Sequence, residues 1–124
     1  MVVTNSARQF VTYLLGSEMS DLYIKAIGVG TGSSTPSVSD TTLLTEANRA
    51  DITGTPDFTT NRAVSFQADL NSVQMSGIAL SEFGLFHTGS TTGFTGSIWQ
   101  REVFGSLAFD GTNELQIVST IEVL

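Results

Sequence analysis

The sequence predicts a mainly β protein: an antiparallel β-sandwich with one short N-terminal α-helix, built as a single domain over residues 1–124. Three observations lead there. From about residue 62 onward, apolar residues recur at every second position, as in half-buried strands. The segments carrying that alternation are separated by turns rich in Gly, Ser, Thr and Asn. The regular alternation of helix and strand that a parallel α/β sheet requires is missing.

The elements follow in chain order. In NSARQFVTYLL (5–15), Ala7, Phe10, Val11 and Leu14 form one helical stripe, with Thr4 or Asn5 as N-cap and Gly16 at the C-terminal end. The helix is therefore placed at 4–15 and the sandwich at 22–124. LYIKAIGV (22–29) is β-branched and aromatic and reads as a strand, followed by the polar loop GTGSSTPSVSD. A turn of helix near 40–44 and a strand through about 54 are expected next, then TGTPDFTTN as a loop. RAVSFQADL (62–70) alternates strictly. Residues 71–76 are the expected hairpin loop to GIALSEFGLFH (77–87). HTGSTTGFTG reads as a glycine-rich loop, SIWQREVF (97–104) as a strand and GSLAFDGTN as a turn. ELQIVSTIEVL (114–124) reads as a last strand, with Leu115, Ile117, Ser119, Ile121 and Val123 on one face and Val118 and Leu124 on the other. A strand apolar on both faces implies burial within its own sandwich, or pairing with a neighbouring subunit.

Composition narrows the function classes. Hydrophobic residues make up 40% of the 124-residue chain, enough for one core. Charged residues are only 14%, below the usual quarter, so the polar surface is mostly Ser, Thr, Asn and Gln. The net charge is −7, and the five basic residues are scattered, which disfavours nucleic acid and anionic membrane surfaces as partners. Cysteine is absent, which removes thiolate nucleophiles, thiolate metal sites and disulfides. No signal peptide is legible in MVVTNSARQFVTYLLG, and no apolar run approaches membrane-spanning length.

No motif carries recognisable catalysis, and no cofactor or metal is expected. IGVGTG fails the G-x-G-x-x-G pattern at Ser33. His87, the lone histidine, lacks a nucleophile elbow or companion ligands and reads as an exposed residue at a loop edge. One residue stands out. Glu82 lies in the apolar run IALSEFGLF, in strand phase with Ile78, Leu80, Gly84 and Phe86, so burial is expected. A buried carboxylate is costly unless paired, and arginine is its best partner. Arg49 is the first expectation and Arg101 the second, with Glu46 sharing the network. The catalytic alternative makes Glu46 and Glu82 a glycosidase pair, which requires Glu82 in a cleft beside Trp99 or Tyr23.

The ordered features resemble the N-terminal attachment domain of phage tail-fibre proteins of the tail-collar type. The matching residues are Gly28, Gly30, Gly32, Pro36, Asp40, Leu43, Glu46 and Arg49, then Ile78, Glu82, Gly84, Leu85 and Phe86. The resemblance implies a non-enzymatic structural protein of a tailed-phage virion, at a tail fibre or baseplate. It implies docking on other virion proteins and on copies of itself, as a trimer or symmetric ring, with assembly in the host cytoplasm. With the sequence stopping at Leu124, short of the shaft and receptor-binding tip of that family, an adaptor, baseplate or decoration role is expected in place of host recognition. Capsid-surface decoration is the alternative within the same class; a carbohydrate-binding module and a cellular adhesion domain are alternatives outside it.

Overall fold

The computed structural model describes residues 2–16, 23–87 and 96–123. Among these, eight strands form two antiparallel sheets. The strands are β1 (Val2–Val3), β2 (Ala26–Gly30), β3 (Glu46–Asp51), β4 (Asp57–Thr60), β5 (Ala63–Leu70), β6 (Ala79–Phe86), β7 (Ile98–Ala108) and β8 (Leu115–Glu122). Helix α1 spans Asn5–Gly16 and a one-turn helix, α2, spans Ser72–Met75. The larger sheet has the order β1-β7-β6-β2-β3 and the smaller the order β4-β5-β8.

The two sheets face each other across an apolar layer. Ile27 and Leu85 of the larger sheet pack against Phe66 and Ala68 of the smaller. Val29 and Leu80 meet Leu70, Met75 and Phe109 toward the other end. This layer follows from the period-2 patterns of β5 and β8, whose inward residues the sequence identifies. Helix α1 starts at Thr4, whose Oγ1 accepts from the Ala7 N–H (3.1 Å) and donates to the Ile98 carbonyl (2.6 Å). The cap thus fixes the helix to β7 as well as closing its first turn. Of the predicted stripe, Ala7 is buried and Val11 half exposed; the side chains of Phe10 and Leu14 lie outside the described residues.

Several boundaries differ from the expectations. The strand expected at 22–29 runs Ala26–Gly30, and residues 40–44 form no helix. They belong to a strap, residues 31–45, that leaves β2 and returns as β3. TGTPDFTTN is not only loop, since it contains β4, an edge strand paired with β5. Its Thr- and Asp-rich composition reads as turn, and pairing to β5 overrides that preference. Residues 71–76 do not join a hairpin: α2 sits there under an Asn71–Gln74 capping box, and the chain crosses from the smaller sheet to the larger. Strand β7 extends four residues beyond 104, into the segment read as a turn. Strand β8 is an edge, and its outward Val118 is 59% exposed, so the expectation of burial on both faces is corrected. Most of the predicted HTGSTTGFTG loop, residues 88–95, lies outside the described residues.

Candidate functional site

The larger sheet has a second buried face, turned away from the sandwich core and covered by the strap. Its architecture is set by strand register. In one row across the sheet stand Arg101, Gly84, Gly28 and Arg49, on β7, β6, β2 and β3. In the next row stand Val103, Glu82, Gly30 and Glu46. Glycine on the central strand of each row leaves a trough, and the long charged side chains lie in it.

Close approach explains Gly30 of the second row and Gly32 at the start of the strap. A Cβ at Gly30 would collide with the Thr45 carbonyl and come within 2.6 Å of Glu82 Oε1. One at Gly32 would lie 2.5 Å from the Leu44 Cβ and 2.6 Å from the same oxygen. Contacts this short do not occur, so only glycine fits beneath the strap.

Glu82 is fully buried at the centre of the trough. Its Oε1 accepts from the backbone N–H groups of Gly32 (3.0 Å) and Thr45 (2.7 Å). Its Oε2 accepts from the Leu44 N–H (3.0 Å) and from Arg101 Nε (2.7 Å). One carboxylate therefore ties both ends of the strap to the sheet. Burial pushes the Glu82 pKa up, but the Thr45 N–H, the Arg101 guanidinium and the Leu44 and Gly32 N–H groups outweigh it and hold the carboxyl below its ordinary value. Arg101 is itself buried and reaches on to Asp40 of the strap (3.3 Å) and Ser34 Oγ (3.4 Å). Ser81 Oγ adds a bond to the Gly32 carbonyl (2.9 Å).

The expected first partner, Arg49, is held elsewhere. Its Nε and Nη2 donate to the two carboxylate oxygens of Glu46, each at 2.7 Å, and its guanidinium lies 3.7 Å above the Phe86 ring. The four residues named from the sequence thus share one face but form two ion pairs, Glu82–Arg101 and Glu46–Arg49. The assignment of Arg49 to Glu82 is corrected because register places Arg101 diagonally beside Glu82, whereas Glu46 lies three residues from Arg49 on the same strand. The expected phase of Glu82 with Ile78 and Leu80 is corrected too. Pairing with β7 shifts register between Leu80 and Glu82, so Leu80 enters the sandwich core and Glu82 the opposite face.

His87 also departs from expectation. It is buried just past β6, with Nε2 3.3 Å from Ser6 Oγ of α1 and its ring edge-on to Trp99. Burial lowers its pKa below the ordinary 6.5, favouring the neutral imidazole.

The backbone donors of the strap, with Asp40 and Ser34, are the part of the site that residue-type reasoning misses. A signal for them exists in the alternating glycines of GVGTG, which strip one strand face of side chains. Chemically the site binds its own strap: Glu82 has no exposed oxygen to offer a substrate, and its lowered pKa opposes a role as general acid. Among the described residues, no group of three or more His, Asp or Glu is placed to hold a metal, and no helix is long and apolar enough to cross a membrane. Comparison with protein families, curated proteins and solved structures finds no match to this chain.

Proposed function

We propose that this chain is a non-enzymatic structural component of a tailed-phage virion, a tail-fibre or baseplate attachment domain that docks on a symmetric particle among copies of itself. One observation carries the reading. The residues on which the resemblance rests are dispersed in sequence, yet Gly28, Gly30, Gly32, Glu46, Arg49, Glu82 and Gly84 fall in or against the two adjoining rows beneath the strap. This part of the ordered motif supports reading it as the signature of one cohesive device, in which ionised groups hold a surface loop in shape, while Ile78 and Leu85 belong to the sandwich core. A rigid strap suits shape-complementary docking on a repeated partner surface. The competing glycosidase reading needs Glu82 in an open cleft, and full burial withdraws support from it.

Quantitative mass spectrometry of gradient-purified particles tests the proposal. A tail component is expected at about six to a few dozen copies per particle, in multiples of the tail symmetry. Copies in the hundreds reassign the chain to the capsid surface, and absence from particles overturns the virion reading.

A further inference from the structure

The smaller sheet stops short of the sheet it covers. Gln100 on β7 lies 3.5 Å from Ser119 on β8, so β8 sits above the β6–β7 side of the larger sheet. Beyond it, among the described residues, the inner face of β7 is exposed from Phe104 to Leu107. The Phe104 ring lies 6.1 Å from that of Phe83, which packs against the core, and Leu107 is the register partner of core residue Leu80. Both point into the layer between the sheets, yet they are 37% and 55% exposed.

The edge beside this strip is unprotected. Among the described residues, β8 pairs with β5 alone, in unbroken register through all eight positions. From Leu115 to Ile121 it carries no charge, no proline and no bulge, the devices that blunt sheet edges against new strands.

We infer that the β8 edge and the Phe104–Leu107 strip together form a strand-addition slot for an extended segment of a separate polypeptide, apolar at alternate positions and basic at its ends. Backbone groups of β8 supply the ladder, and the segment's inward side chains complete the cover over β7. The basic ends follow from charge: Glu114 precedes β8 and Glu122 ends it, and half-buried Glu102 shares the inner face with Phe104. Among the described residues, Glu122 alone of these three has a salt bridge, an exposed 3.8 Å contact to Arg62. A second copy is a poor occupant. The larger sheet continues past β8 through β7 and β1, so two copies joined edge to edge at β8 would drive their β7–β1 margins into one space. The occupant is thus a strand with no sheet beneath it. This inference goes beyond the virion reading and holds whatever assembly contains the chain.

The test uses a panel of labelled, blocked ten-residue peptides with Val, Ile, Leu or Phe at alternate positions, Thr between them and Lys at both ends. Binding is measured by fluorescence anisotropy and mapped by amide hydrogen exchange. At least one peptide is expected to bind and to slow exchange at alternate residues of β8. N-methylation of its ladder amides, or Leu107→Lys in the protein, is expected to weaken binding about tenfold or more. Leu107 is half exposed, so the variant retains its fold, checked by circular dichroism. The inference is overturned by binding from none of the panel, by equal affinity of the N-methylated peptide, or by protection mapping to β3 or β4. Concentration-dependent dimers that protect β8 without peptide overturn the choice of a separate chain as occupant.

Discussion

At the scale of the residue, Glu82 concentrates the most consequence. Its carboxylate gathers four N–H donors while wholly buried, so removing it leaves three backbone amides unsatisfied and the buried Arg101 with only its longer contact to Asp40 as an ion pair. Glu82→Ala is expected to lower the unfolding free energy by roughly 3–5 kcal/mol, the range for breaking a buried ion pair from one side. Glu82→Gln keeps an acceptor oxygen and should lose less. Urea titration of both variants checks this, and a change near zero for Ala would show that the carboxylate holds nothing. Gly30→Ala tests the trough from the other side. The added methyl meets a backbone carbonyl that cannot swing away, and a loss of about 1–3 kcal/mol is expected by the same titration. The need for a guanidinium beside Glu82 was legible in the sequence, because apolar neighbours imply burial and burial implies pairing. The choice between Arg49 and Arg101 was not, because it depends on the register shift after Leu80 and on which strands are neighbours.

Elements show a similar division. Helix α1 was legible because its apolar spacing and its cap coincide, and no long-range contact had to be known. Thr4→Ala is expected to cost about 1 kcal/mol in thermal unfolding, from the lost cap and the lost bond to Ile98. In sequence the strap reads as a loop followed by a turn of helix. Apart from the alternating glycines of GVGTG, nothing local marks it as a cover, since its anchors are main-chain amides that no residue type announces. Its dependence on Glu82 is directly measurable. In Glu82→Gln, hydrogen exchange should quicken at Gly32, Leu44 and Thr45 while the β5–β8 ladder keeps its protection. Uniform quickening across both sheets would instead mean that strap and sandwich open together. Strand β4 is hidden in the sequence for the converse reason, being made of turn-forming residues that extend only because β5 offers an edge.

For the whole molecule, the sandwich was legible from alternation alone, whereas the division of strands between sheets was not: alternation says which residues point inward but not which strand lies alongside. The pH dependence of stability is a property at this scale. His87 has a folded pKa below its ordinary 6.5, so its contribution is fully present above that value and declines as pH falls below it. Glu82 has a folded pKa below its ordinary 4.5, so its contribution is intact above that value and is lost as pH falls through the folded pKa. Stability should therefore fall in two acid stages. Denaturant midpoints measured across pH 3–8 check this, with His87→Gln expected to remove the upper stage and Glu82→Gln the lower. The way the strap is fastened has an evolutionary corollary. Because Glu82 grips peptide groups, the crest of the strap beyond Ser34, from Thr35 through Ser39, can change its side chains without loosening the grip. The fold thereby offers a tolerant display surface, where new recognition chemistry can arise while the fastening beneath it stays fixed.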